Sequence, residues 1–283
     1  MPNLSYRSNE KELIDDLELD NDALRQNLEE LALINKYLGG NQVTTSGLSR
    51  LMFDVRNSIS DAQNSMFDVR DSMFDVQDSK FDVRDSKFDV RKSKIENRKS
   101  KIENRKSSIE IADLGCGGGD MLMVMADWAK KNAINAQFIG IDANDFMIDF
   151  GTKRTANYPN ISYLHQDIYS EEFKEKSFDI VTMTLFCHHF SDESLVKLLQ
   201  QLKKQTRIGI VINDIHRHWF AYHSIAWITK LFLKSYLVKN DAKLSVWRAF
   251  VREDLEKIIQ KAGFTKYSIR WKWAFRWEVV LFS

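Results

Sequence analysis

Cysteine is scarce in this chain of 283 residues: only Cys116 and Cys187 occur, far apart in sequence. That argues against a disulfide framework and fits a reducing compartment, the cytoplasm. The opening residues, MPNLSYRSNEKELIDDLELD, lack the apolar stretch of a secretory signal peptide. Long hydrophobic runs are missing too, and a spanning helix needs about 18 apolar residues. The nearest candidate, 219–238, is broken by His223, Lys230 and Lys234. An excess of one charge is also lacking: 41 Lys and Arg stand against 40 Asp and Glu, a net +1. This balance removes any global argument for nucleic acid or an anionic membrane as partner. Zinc-type ligand spacing is absent, so no metal is expected. What is present is 43% hydrophobic and 12% aromatic residues, enough for one large α/β domain with additions.

Three regions differ in composition. Residues 1–51 read as an N-terminal helical extension, with Leu13, Leu17, Leu24, Leu28, Leu31 and Ile34 at helical spacings. Asp20 or Asn21 is the expected cap of a second helix and Gly39-Gly40 its stop. The region is either a structural extension or a lid over a substrate pocket. Residues 52–108 are a tandem array. Aligned on Ser65, Ser72, Ser79, Ser86, Ser93 and Ser100, units such as SMFDVRD, SKFDVRD and SKIENRK recur every seven residues. Phe and Val fall two and then five apart, which does not make a coiled-coil seam. So regular a period points to duplicated coding DNA. The array reads as an inserted linker, disordered or loosely helical, and alternatively as a binding arm through its basic end, 91–106.

The third region, 109–283, alternates strand and helix. Strand patterns at 108–115, 137–143, 161–167, 178–186 and 207–214 are separated by helical patterns at 120–131, from 144, and at 192–205. Further helical stretches start at Phe220 and at Arg252, the last stopped by Gly263. The segments 267–275 and 276–283 close the chain as adjacent strands. Alternation of this kind implies a mainly parallel sheet with helices on both faces, finished by an antiparallel hairpin.

The first strand runs into Asp113-Leu-Gly-Cys-Gly-Gly-Gly-Asp120. Glycines at Gly115, Gly117 and Gly119 let the backbone turn tightly against a ligand, and the next helix points its N–H groups at it. The dinucleotide fingerprint would need Gly where Asp120 stands. Asp142 ends the second strand, where an acidic residue accepts from ribose hydroxyls. Asp167 ends the third, as a ligand contact or a turn cap. The fourth ends in Leu185-Phe-Cys-His-His-Phe190, placing His188 and His189 beyond the sheet edge where ligands bind. The fifth ends in Asn213-Asp-Ile-His-Arg-His218, so Asp214 or His216 can reach the same place or simply lie on a loop. The stretch after it, from Trp219, is too apolar for a simple surface helix. It reads as a core helix, as a cap over a hydrophobic pocket, or as a peripheral contact with a membrane surface. Trp271, Trp273 and Trp277 read as hairpin packing.

Together LEELALINKYLGG, IADLGCGGGDML, LFCHHFSDE, VINDIHRH and RWKWAFRW resemble bacterial class I S-adenosylmethionine-dependent methyltransferases, the group acting on quinone- or polyketide-type small molecules. The resemblance covers nearly everything except the array. It implies an α/β, Rossmann-like seven-stranded sheet in which 109–283 is the methyltransferase domain. It implies S-adenosyl-L-methionine as cofactor, contacted by Asp113, Gly115, Cys116, Gly117, Gly119, Asp142, Ala143, Asp167, Ile168 and Leu185. It implies in-line transfer of a methyl group to an oxygen or carbon of a small, lipophilic acceptor, largely by orienting two reactants. The catalytic candidates are His188, His189, His216 and Asp214, with His189 or His216 as the base for an acidic hydroxyl. An RNA or protein methyltransferase, and a binding protein without catalysis, are the alternatives. Oligomeric state is not legible.

Overall fold

The computed structural model describes residues 2–15, 21–74 and 108–283. Leu17, Asp20 and the basic stretch 91–106, on which expectations were placed above, lie outside the described residues. After a short 3-10 turn at Leu13–Asp15 come helices α1 (Asn21–Tyr37) and α2 (Gly40–Phe74). The alternating part follows as β1 (Ile109–Leu114), α3 (Asp120–Lys131), β2 (Ala136–Asp142), α4 (Asp145–Arg154) and β3 (Ile161–His165). It continues as α5 (Glu171–Lys174), β4 (Phe178–Thr184), α6 (Asp192–Gln205) and β5 (Thr206–Ile215). Helices α7 (Trp219–Phe232), α8 (Tyr236–Arg248) and α9 (Arg252–Lys261) precede β6 (Tyr267–Lys272) and β7 (Arg276–Phe282).

The seven strands form one sheet in the order β3-β2-β1-β4-β5-β7-β6. Strands β1 to β5 pair in parallel, and β7 runs antiparallel between β5 and β6. Central strands are covered on both faces and read as apolar runs: Ile111, Ala112 and Leu114 in β1, and Ile180, Val181 and Met183 in β4, are buried. Edge strand β3 has only half-buried and exposed positions. Crossover helices α4 and α6 start on side-chain caps, whereas α3 follows Gly119 without one. The Asn144 side chain accepts from Met147 N at the start of α4, and Ser191 Oγ from Ser194 N at the start of α6. Helix α6 also carries Asp192 and Glu193 in its first turn and Lys203 and Lys204 in its last, complementing the helix dipole.

Two differences from the sequence expectation matter for the site. The stretch from Phe220 is not one helix. It breaks at Leu233–Ser235, where Ser235 caps α8 and the Glu30 carboxylate of α1 accepts from Lys234 N and Ser235 N. A carboxylate at a helix N-terminus is stabilising, so α1 supplies a reason for the break that lies 204 residues away in sequence. Second, Gly39-Gly40 ends α1, as expected, and at once opens another helix. Gly39 takes a left-handed φ of 72° and α2 starts at Gly40.

Residues Met1–Leu51 and Ile109–Ser283 make one compact unit and Met52–Ser108 another. In the first, Leu24 and Leu28 of α1 pack with Met147 of α4 and Leu237 of α8. The opening turns of α2 lie on the sheet. Asn213 Nδ2 donates to Gly40 O and Thr44 Oγ1, and a Cβ on Gly47 would sit 2.5 Å from Val211 Cγ1. In the second unit, the array is α-helical as far as Phe74 and the rest of it falls outside the described residues.

Candidate active site

At the carboxyl ends of β1, β2 and β4 the sheet opens into a cavity of about 950 Å³. That is near the top of the range for small-molecule sites, ~300–1,000 Å³, and the place the topology favours. One half is built by the loop between β1 and α3. Gly115, Gly117 and Gly119 all adopt left-handed backbone, with φ of 65°, 50° and 73°. A Cβ on Gly115 would lie 2.2 Å from the Phe186 ring, so the loop and the end of β4 close on each other only through glycine. Asp142 faces the loop: its Oδ2 accepts from Gly117 N and its Oδ1 from Asn144 N, both at 3.0 Å. Asp113 is buried, and its Oδ1 accepts from Thr182 Oγ1 at 2.6 Å. Asp167 lies two residues past β3, its Oδ1 accepting from Tyr169 N at 2.9 Å. Cys116, Ala143, Ile168 and Leu185 also line this half, Leu185 in a left-handed conformation unusual for a branched side chain. All ten cofactor residues expected from the sequence therefore border one cavity or turn its loop.

Charge decides what this half can hold. Burial pushes the Asp113 carboxyl up to about 7, assisted by Asp120 and Asp142. Burial also raises Asp120 and Asp142. Three carboxylates crowded at one apolar opening favour a ligand with positive charge. A sulfonium and an ammonium group relieve them; a diphosphate adds to the repulsion. The residues present therefore fit S-adenosylmethionine and oppose a nicotinamide dinucleotide.

The other half is walled by apolar side chains, among them Leu31, Ile34, Leu38, Ile228 and Phe275. His188 and His189 stand at its junction with the cofactor half. His188 is buried, with Nδ1 2.7 Å from Asp214 Oδ1, while its backbone N donates to Asp214 Oδ2. Its other nitrogen, Nε2, is 3.5 Å from Glu12 Oε1. Burial alone would raise Asp214; the adjacent His188 imidazole holds it below the usual carboxylate range. Glu12 is 5% exposed, and burial drives its carboxyl to about 7 against the pull of His189 and Arg248. Its Oε2 accepts from Ser245 Oγ at 2.8 Å, and Oε1 has no hydrogen-bond partner. His189 Nδ1 lies 2.6 Å from Asp15 Oδ1. Burial raises Asp15, but His189 and Arg248 outweigh it and hold the group far below its ordinary value.

The N-terminal segment is fastened over this site from several sides. Arg248 donates to Asp15 Oδ2, to Glu10 O and to the carbonyls of His188 and His189. Asp241 accepts from Leu13 N and Ile14 N at 2.9 and 3.0 Å. Arg7 pairs with Asp192 and donates to Phe190 O. Glu12, Asp15 and Arg248 are thus site residues that the sequence reading missed. Glu12 and Asp15, three apart, occupy one turn of helical spacing, but nothing in the sequence links them to β4. Arg276 was missed as well. It is 6% exposed, borders the cavity, donates to Asn35 Oδ1 at 2.8 Å, and leaves Nη1 without a partner. Burial lowers this guanidinium to about 10.

Not every expected residue comes to the cavity. His216 is outside its lining: the ring packs on Trp277 at 4.9 Å and its N donates to Phe275 O. Asp214 lies behind His188 rather than in the wall. Helix α7 is not a core helix, because only Ala221 and Thr229 are buried in it. Nor do all the tryptophans pack in the hairpin: Trp277 is buried, while Trp271 and Trp273 are 49% and 71% exposed. Glu12, His188 and His189 each offer a ligand atom, all within 4.8 Å of one another. Arg248 Nε lies 3.8 Å from Glu12 Oε1, so a dication there would face a guanidinium.

A parallel five-strand core with an antiparallel β7 inserted beside β5, and a glycine loop answered by Asp142, defines a Rossmann-like methyltransferase fold. Residues 111–209 match the family model described as a methyltransferase domain. The demethylmenaquinone methyltransferase of Staphylococcus aureus is 24% identical over 173 residues, covering 56% of this chain and 68% of that protein. The plantazolicin methyltransferase BpumL in complex with SAH superposes with a TM-score of 0.48 at 18% identity, over 62% of this chain and 76% of that one. Magnesium protoporphyrin IX methyltransferase (ChlM) from Synechocystis PCC 6803 gives a TM-score of 0.42 at 16% identity, over 72% and 90%. Residues 111–209 thus carry a methyltransferase domain, and the chain is similar to S-adenosylmethionine-dependent methyltransferases.

Proposed function

We propose that the protein methylates an oxygen or carbon of a small lipophilic acceptor, polyketide-, phenol- or quinone-like, with His188 as the base. The observation carrying this reading is the single cavity: carboxylates and glycines on one side, apolar walls on the other, and the His188–Glu12 pair between them. When bound, S-adenosylmethionine supplies an electrophilic methyl group on a sulfonium. Asp142 would hold its ribose hydroxyls, Asp113 its methionine end, and Asp167 its adenine. Asp214 fixes the His188 ring so that Nε2 points away from it. The acceptor hydroxyl, or the acidic C–H beside a carbonyl, gives its proton to Nε2, and Glu12 stabilises the imidazolium so formed. Asp15 and Arg248 hold His189 and the N-terminal segment over the reactants, which orients them and keeps water out. Arg276 offers a buried cation to a second oxygen of the acceptor.

Incubating cell extract with methyl-labelled cofactor and separating solvent, RNA and protein fractions tests the acceptor class. Label in the solvent fraction is expected; label confined to RNA or protein refutes the reading. With the acceptor in hand, His188→Ala is expected to lower kcat ~10²–10⁴-fold. His216→Ala, outside the cavity lining, is expected to leave kcat within about threefold. Equal effects of the two substitutions would remove His188 from the role of base.

A further inference from the structure

Helix α7 fully buries only Ala221 and Thr229, although it is the most apolar helix of the unit. Trp219, Phe220, Trp227 and Leu231 are 61%, 51%, 71% and 63% exposed. On a helical projection they span one arc of about 120°, which His223 and Lys230 share. Phe232, the last residue of the helix, and Tyr236, the first of α8, are exposed as well. The tip of the β6–β7 hairpin continues the patch: Trp271 and Trp273 are exposed, and the Phe275 ring lies 5.9 Å from Phe220 and 6.1 Å from Trp271. Single exposed apolar side chains are ordinary; a contiguous aromatic surface on two elements needs an occupant.

Charge and position say which occupant. From Trp219 to Asn240 there is no Asp or Glu, while Lys230, Lys234 and Lys239 are present. Glu30, the carboxylate that approaches this segment, caps backbone N–H groups at the start of α8. An apolar aromatic face in a segment whose only charged residues are lysines complements an anionic lipid surface: rings enter the headgroup boundary and the ammonium groups stay at its level. The patch is also continuous with the cavity, because Phe220 and Trp273 are both exposed and part of its lining. No helix among the described residues is long and apolar enough to cross a membrane, so contact of this sort is peripheral.

We propose that α7 and the β6–β7 tip dock the protein on an anionic lipid surface, setting the mouth of the acceptor cavity against the bilayer. The acceptor then passes from lipid into the cavity along Phe220 and Trp273 without crossing water. Docking itself does not depend on the identity of the acceptor. Only its purpose rests on the lipophilic reading above, and vesicle binding is measured with no acceptor present.

The test uses the full chain and vesicles of phosphatidylcholine with or without phosphatidylglycerol. Co-sedimentation with the mixed vesicles and a blue shift of tryptophan emission are expected, both weakened by added salt. The double variant Trp227→Ser, Leu231→Ser alters exposed side chains that do not line the cavity. It is expected to partition at least tenfold less while binding S-adenosylhomocysteine as the wild type does. Failure of the wild type to bind any vesicle overturns the proposal, as does unchanged partition of the double variant. A concentration-dependent dimer that the double variant abolishes, seen without vesicle binding, assigns the face to self-association and equally overturns it.

Discussion

Replacing Glu12 by Gln is expected to make the fold more stable and the enzyme slower, and the size of the first effect follows from the structure. The carboxyl is 5% exposed and rises from its ordinary value of 4.5 to about 7. The folded state therefore binds this proton more tightly than the unfolded chain does. For a raised group of this kind, the stabilisation is fully present below the unfolded value and is lost as pH climbs through the folded one. At 1.36 kcal/mol per pH unit, ionising Glu12 costs the fold on the order of 3 kcal/mol. Gln keeps the shape and the Ser245 contact but never ionises. Urea unfolding should then give matching stabilities near about pH 4, and a more stable variant near about pH 8, by up to ~3 kcal/mol. Turnover moves the other way. Wild-type rate is expected to rise with pH through about 7 as Glu12 ionises and can stabilise a protonated His188. The variant should lose that limb and fall ~10²-fold or more. A stability difference that is the same at both pH values, or an acidic limb that persists in the variant, refutes the reasoning.

Two further outcomes follow from the same geometry. Gly119→Ala forces a side chain onto a left-handed residue and puts its Cβ 1.9 Å from Tyr163 Oη. A loss of ~1–3 kcal/mol in unfolding free energy is expected, with weaker binding of S-adenosylhomocysteine by titration calorimetry; wild-type values for both would show that the loop has room to relax. Treatment with a chelator is expected to leave turnover unchanged, since Arg248 stands where a metal held by Glu12, His188 and His189 would be repelled. A loss of activity that zinc restores would replace the base assignment with a metal-held acceptor.

The sheet and the cofactor half were legible because their signals are local. A strand, a glycine run and a helix start lie within a dozen residues of one another, and the helix at 192–205 starts on the Ser191 cap in its own sequence. The apolar stretch after Trp219 was read only as a set of alternatives. Hydropathy reports that a helix is greasy, not whether anything covers it. The break between α7 and α8 was missed for a related reason: Leu233-Lys-Ser235 contains no helix breaker, and the carboxylate that favours the break comes from α1.

The acceptor half was illegible for a deeper reason. Its chemistry depends on pairing residues from opposite ends of the chain. Glu12 is bonded to Ser245 and Arg248 to Glu10, across 233 and 238 residues. Read in isolation, Glu12 and Asp15 are two carboxylates in an acidic, polar segment, expected to be solvated and ordinary. What perturbs them is burial under α8, and what makes burial tolerable is a specific partner for each: Ser245 for Glu12, and His189 with Arg248 for Asp15. The same partners explain why the two groups differ. Asp15 has a hydrogen-bonded cation and stays ionised, while Glu12 Oε1 faces Arg248 Nε only at 3.8 Å and has no hydrogen bond. One carboxylate thus fixes the segment in place and the other remains free to change charge beside His188, a division of labour that only the folded arrangement creates.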